Sequence, residues 1–395
     1  MEDPTLELAV ILAAAVGAQL LAARLRIPAI VPLLVVGVVL GPYVAGVIDP
    51  DQLLGDLTDP IIALAVGAIL FDGSLSLHRR QLEQGVGRVV FRLTTLGVAI
   101  TWGLGGAGAG LLLGLDHRIA IVLGAALTLS GPTVVLPLLD FVRAKPHVDA
   151  TLRWEGILID PIGAILAVLT FHAVASGDGR LEALEFLETI GIGLAAGLVG
   201  AALLVVLLRY RTFEASLEAT ATLALVLGAV AGASAISEDA GLVAAIVMGL
   251  VLAHRQREIV ERAPAFGPIL VSLLLGVLFV VLSARVDPQA VLDLGWEGLA
   301  FVAFLVLVVR PLSVALSTAG SSLTGAERSL VAWMMPRGIV AAATVSAFES
   351  SLIDAGIPDA EQLVPATFLV IAATVAVYGL TARPLAVRLG VARDP

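Results

Sequence analysis

Cysteine is absent from this 395-residue chain, charge is scarce, and lysine supplies one of its 23 basic residues. Without cysteine there is no disulfide framework, no thiolate nucleophile and no zinc–thiolate site. Charged residues make up 14% against 59% hydrophobic, and the mean hydropathy is +1.02. A soluble protein of this length cannot cover its surface with so little charge. Composition therefore implies a polytopic α-helical membrane protein and excludes a globular cytosolic enzyme. Five scattered histidines suggest no metal site. No cofactor and no nucleic-acid partner are expected, and the bilayer itself is the solvent. The N-terminal MEDPTLEL is acidic and lacks the basic n-region of a cleaved signal peptide, so the first span is expected to stay in the mature protein.

At roughly 17–25 apolar residues per crossing, thirteen spans are predicted, at about 6–23, 29–47, 58–76, 89–113, 118–139, 152–173, 187–208, 217–236, 240–253, 266–283, 296–318, 328–348 and 364–387. The eighth and ninth are split only by Ser237-Glu238-Asp239. With this count, 18 of the 23 basic residues fall on one face, among them Arg24, Arg26, Arg79, Arg80, Arg211, Arg257 and Arg262. Loop positive charge marks the cytoplasm, which puts the N-terminus outside and the C-terminus inside a plasma (inner) membrane. Loop acids such as Asp49, Glu182, Glu238, Asp239 and Asp359 fall on the outer face, where they attract cations at low ionic strength. No soluble domain is visible: residues 1–395 read as one transmembrane domain.

Two spans are interrupted. Thr128-Leu129-Ser130-Gly131-Pro132-Thr133 lies at the middle of the fifth and Met335-Pro336-Arg337-Gly338 at the middle of the twelfth. Gly and Pro loosen a helix and free carbonyls, which a membrane tolerates only where they are buried in protein or line a cavity. The interrupted spans are seven apart. Two six-span repeats follow, about 6–173 and 217–387, inverted about a linker helix at about 187–208. Such a pair of broken segments points to a secondary transporter's binding site.

Five ionisable residues lie within spans: Asp72, Glu155, Asp160, Arg310 and Arg337. Intramembrane charge is costly and marks function by default. Asp160 is about 12 Å into its span at 1.5 Å per residue, and Pro161 after it removes a backbone donor, so a local distortion is expected. Glu155 and Asp160 point about 140° apart around a helix, so they cannot form one paired-carboxylate site. One is expected to face an arginine permanently. The other faces the pathway and exchanges a proton, unless it too is a satisfied pair, for which Arg310 is the obvious partner of Asp160. Asp72 reads either as part of the site or as an interfacial carboxylate close to Arg79 and Arg80. His172 reads as an interface residue.

Trp154-Glu155-Gly156-Ile157-Leu158-Ile159-Asp160-Pro161, Ser130-Gly131-Pro132, Met335-Pro336-Arg337-Gly338 and Phe71-Asp72-Gly73 occur in an order and on spans that resemble the monovalent cation:proton antiporters of the bacterial NhaP type, relatives of animal sodium/proton exchangers. The resemblance covers essentially the whole chain. It implies an NhaA/NhaP-like fold with crossed broken helices, a homodimer, and exchange of Na⁺ foremost, or K⁺ or Li⁺, for H⁺; one proton traded for one cation makes that exchange electroneutral. By that resemblance Asp160 binds cation and proton in turn, Ser130 and nearby carbonyls complete the cation's oxygen shell, Arg337 holds Glu155, and Asp72 is an outer ligand. Arg310 stands where charge-moving relatives carry a lysine. Ile159, Gly156 and Gly131 replace polar residues of the family pattern, which leaves the choice of cation open. An anion carrier or channel on the same fold is the nearer alternative. An intramembrane aspartyl protease using Asp72 and Asp160 is a remote one, since neither sits in a Gly-x-Gly-Asp context.

Overall fold

The structure is a computed structural model that describes residues 4–25, 27–75, 77, 85–176, 179–209, 215–237, 240–255 and 266–393. Arg26, Arg79, Arg80, Arg211, Arg257, Arg262, Glu238 and Asp239, all used in the charge reading, lie outside the described residues.

Among the described residues the chain is helical, with one isolated β-bridge between Ala144 and Ala392. The helices are α1 (Pro4–Leu25), α2 (Ile30–Leu40), α3 (Pro50–Leu54), α4 (Thr58–Leu75), α5 (Gly87–Leu112), α6 (His117–Ala126), α7 (Pro132–Val142) and α8 (Pro146–Ser176). They continue with α9 (Gly179–Arg209), α10 (Ala215–Ser234), α11 (Ala240–Arg255), α12 (Phe266–Ala284) and α13 (Pro288–Asp293). The last four are α14 (Gly295–Ser317), α15 (Gly325–Trp333), α16 (Ile339–Asp354) and α17 (Leu363–Arg388).

Seven of the described helical stretches are long and apolar enough to cross a bilayer, and five further apolar helices are shorter. Large apolar side chains stand bare on the outside, as at Leu111 (84% exposed) and Trp296 (73%). Soluble monomers rarely leave such a surface uncovered. The chain is a multi-pass membrane protein.

Two apolar cores organise the packing. One is built mainly from α1, α2, α4 and α9–α12, the other from α5–α8 and α14–α17. Trp154 and Ile157 of α8, Ala341 and Ala342 of α16, and Phe368 and Ile371 of α17 join the first core across the boundary. Lipid tails are as apolar as leucine, so helices associate through close packing of small residues rather than by escape from water. The α5–α6 contact illustrates this: a Cβ on Gly124 would stand 2.6 Å from the backbone nitrogen of Gly106.

Both predicted interruptions are present in the backbone. α6 ends at Ala126 and α7 starts at Pro132, with Gly131 at its N-cap; α15 ends at Trp333 and α16 starts after Gly338. α8 behaves otherwise. It runs helical through Pro161 from Pro146 to Ser176, so the expected distortion is not a break. Pro161 still offers no N–H to the carbonyl of Ile157. Within α5 and α14, the segments Leu93–Gly97 and Leu305–Val309 are π-helical turns, a feature hydropathy does not encode.

Candidate functional site: a lone carboxylate beside two crossing helix breaks

The two breaks meet back to back. A Cβ on Gly338 would lie 2.8 Å from the backbone nitrogen of Gly131 and 3.0 Å from its Cα. Any side chain at 338 would separate the two chains, so the crossing requires glycine there. Around this point the backbone is extended and its polar groups need partners away from water.

Helix α8 runs past the crossing. A Cβ on Gly163 would meet the Thr128 hydroxyl at 2.8 Å, and one on Gly156 would meet Val135 at 3.3 Å. These contacts bracket the α6–α7 break. Residues 156, 160 and 163 share one helical stripe, so Asp160 faces the break that carries Ser130. Asp160 is fully buried, and neither carboxylate oxygen has a hydrogen-bond partner among the described residues. Burying a carboxylate without a partner penalises its charged form, so such a group calls for a cation or a proton. Ser130 is buried and lines a small cavity of about 10 Å³ with Glu155, Gly156, Met335 and Pro336, space on the order of one water. Ile159 is buried among Val98 and Met335, an apolar contact at the position where the family pattern carries asparagine.

Glu155 points the other way, as its spacing requires, but its partner differs from the expectation. Arg310, not Arg337, holds it: Arg310 Nη1 donates to Glu155 Oε1 at 2.5 Å and Nη2 to Oε2 at 3.0 Å. The same guanidinium donates to the Val331 carbonyl (3.1 Å) and the Met334 carbonyl (2.9 Å). These carbonyls lie where α15 runs out, a terminus whose C=O groups have no helical donors and whose dipole favours a cation. Arg310 thus joins α14 to α8 and caps the first half of the broken α15–α16 helix. This also removes Arg310 as a partner for Asp160.

Arg337 sits in the extended segment between α15 and α16. Its backbone N–H donates to Thr374 Oγ1 of α17 at 3.3 Å, while its Nη1 is buried with no partner among the described residues. Asp72 lies half-buried in α4 with no hydrogen bond or ion pair to another described residue; its neighbour Gly73 abuts Leu136 of α7 and Ile157 of α8. The interfacial alternative for Asp72 involves Arg79 and Arg80, outside the described residues. His172 is exposed on α8, edge-on to Phe171.

Glu7, buried in α1, accepts the backbone N–H of Asp49. Nothing in its local sequence separates it from a solvated N-terminal acid.

A half-broken helix pair crossing beside an unpartnered buried carboxylate is the architecture of a membrane transport domain. The chain belongs to the family described as "Sodium/hydrogen exchanger, transmembrane", whose model matches residues 10–388. It is 26% identical over 381 residues to the K(+)/H(+) antiporter NhaP of Alkalimonas amylolytica, covering 93% of this chain and 64% of that protein. It is 25% identical to the probable Na(+)/H(+) antiporter 2 of Methanocaldococcus jannaschii over 93% of this chain and 92% of that protein. These relatives are named as transporters, not enzymes. The chain spans under two thirds of the length of NhaP and of the NhaP2 antiporters of Shewanella. The solved structure of the sodium proton antiporter MjNhaP1 from Methanocaldococcus jannaschii superposes with a TM-score of 0.84 at 23% identity, covering 98% of each chain, and shares the fold.

Proposed function

We propose that this chain is the transport domain of a secondary antiporter that exchanges one monovalent cation, Na⁺ first with K⁺ or Li⁺ open, for one proton. The observation that carries this reading is Asp160: fully buried, without a hydrogen-bond partner at either oxygen among the described residues, and facing a broken helix. Cation and proton compete for this one carboxylate. Ser130, backbone oxygens of the α6–α7 break and the Ile157 carbonyl freed by Pro161 supply neutral ligands, and Asp72 is an outer one. Family membership and the antiporter names of the relatives support the reading.

The empty, charged site is reluctant to cross between access states, because an uncompensated carboxylate moving through apolar surroundings is costly. Loaded with either ligand it is neutral. The bundle of α5–α8 and α14–α17 then moves against the other, making exchange electroneutral. Thirteen crossings, built as two inverted repeats with α9 as linker, fit this motion; the matching π-turns of α5 and α14 and the matching breaks support the repeat. The domain lies in the plasma membrane with its N-terminus outside and C-terminus in the cytoplasm, works as a homodimer and needs no resident cofactor.

The test is proton flux in proteoliposomes on addition of Na⁺, K⁺ or Li⁺ in turn, with and without a voltage clamp. Cation-driven, voltage-insensitive flux is expected, with apparent cation affinity strengthening as pH rises and protons compete less. Folded protein that responds to no cation refutes the reading, and unitary currents would make it a channel.

A further inference from the structure

Away from Asp160, on the face that collects the loop arginines, lies a cavity of about 420 Å³ lined by Gly85, Arg88, Arg92, Ser321 and Ser322. It sits between the start of α5 and the connection from α14 to α15. Among the described residues no acidic side chain lines it. Its walls are fixed to one another: Arg92 Nη1 donates to the Ala319 carbonyl at 2.7 Å, and Ser317 Oγ donates to the Arg92 carbonyl at 3.3 Å. Arg328 Nη2 holds the Ser321 carbonyl at 3.0 Å.

Within this fixed frame, donors are left over. The Ser321 hydroxyl and Arg328 Nε are both buried without a hydrogen-bond partner among the described residues. Arg88 is exposed at the rim, and its side chain takes part in no hydrogen bond or ion pair with another described residue. Buried donors are paired in nearly all proteins, so each orphan asks what satisfies it. Here the orphan in the lining is the Ser321 hydroxyl, with Arg88 and Arg92 beside it; the single orphan N–H of Arg328 lies behind it, on the residue that holds the Ser321 carbonyl. The positive charge of Arg88 and Arg92 favours an anion over a cation. The geometry points to a phosphate group as the occupant, carried by an anionic lipid headgroup or by a soluble phosphate. Arginine forks bind phosphate oxygens bidentately, and serine hydroxyls supply the remaining bonds. The volume leaves room for the group that carries the phosphate. The site is separate from the exchange site and joins α5 to α14, the two π-turned helices of the Asp160 bundle.

Two mild variants test it. Arg88→Gln removes a charge with no ion pair, and Ser321→Ala a hydroxyl with no hydrogen-bond partner, among the described residues, so both should fold with unchanged thermal stability in chloride. The purified full chain is titrated with inorganic phosphate against chloride at equal ionic strength, reading the melting temperature. Native mass spectrometry then compares retention of phosphatidic acid with phosphatidylcholine. The expected result is saturable binding of at least one phosphate probe, weakened about tenfold in each variant, the loss of about 1.4 kcal/mol. Binding of phosphatidic acid alone assigns the site to lipid, binding of inorganic phosphate alone assigns it to a soluble ligand, and binding of both assigns it to the shared group. No binding of either probe, or binding as tight in both variants as in the unaltered chain, overturns the proposal.

Discussion

Arg310 and Arg337 are both buried arginines, one in mid-helix of α14 and one inside the α15–α16 break, yet the structure gives them opposite standing. Arg310 uses its fork on Glu155 and its remaining donors on two orphan carbonyls and the Met335 sulfur. Arg337 leaves Nη1 unpartnered. Removing one partner of a buried pair strands the other, at a cost of about 3–5 kcal/mol. Arg310→Met and Glu155→Ala should therefore each lower the melting temperature sharply, and the double variant should recover part of the loss in a double-mutant cycle. Strictly additive losses would refute the pair. Arg310→Lys should also destabilise, since an ammonium cannot span both carboxylate oxygens and two carbonyls. Arg337→Met has the opposite expectation: thermal stability kept or raised, because an under-satisfied buried charge is replaced by apolar volume. A fall in stability as large as that of Arg310→Met would show that Arg337 has a partner after all. At Asp160, replacement by Asn should abolish cation-dependent proton flux while the protein stays folded. Asn is never ionised and cannot trade a proton for a cation. Normal flux in that variant would end the assignment.

At the scale of elements, the site depends on two helices failing at the same depth. Pro132 opens α7 and suits the first helical turn, where its missing N–H costs nothing. Met334–Gly338 stays extended because Pro336 cannot donate and Arg310 holds the Val331 and Met334 carbonyls at the end of α15. The backbones then approach until only hydrogen fits at position 338. Gly338→Ala should cost about 1–3 kcal/mol by overpacking and reduce transport more than a comparable Gly-to-Ala change at Gly228, where a Cβ meets nothing within 4 Å. Equal effects of the two substitutions on melting temperature and flux would mean that the crossing tolerates a side chain. The interruptions themselves were legible in the chain as Gly–Pro and Pro-x-Gly in mid-span. The π-turns were not, because a π-turn changes helical register without changing which residues are apolar.

At the scale of the whole molecule, the proposed exchange requires the two bundles to shift. α2 belongs to the first and α17 to the second, and a Cβ on Gly379 would stand 3.2 Å from Val31 Cγ2. That approach is within disulfide reach, and the chain has no other cysteine to compete. In Val31→Cys/Gly379→Cys, oxidation should stop cation-driven proton flux and reduction should restore it. Full exchange by protein shown to be cross-linked would mean that the bundles need not move at this seam.

The sequence by itself determined that this is a helical membrane protein and where two of its helices break. Each of these follows from local chemistry: mean hydropathy, helical period, and the backbone limits of glycine and proline. It also required Glu155 and Asp160 to diverge, since five residues of helix turn them to different sides. What it did not contain was the pairing. Glu155 and Arg310 stand 155 positions apart, and two mid-span arginines are equivalent in hydropathy, depth and residue type. Only the packing of α14 against α8 and the end of α15 brings one of them within reach of Glu155. That same packing leaves Asp160 without a partner among the described residues, because ion pairing acts over a few ångströms of space and hydropathy acts along the chain.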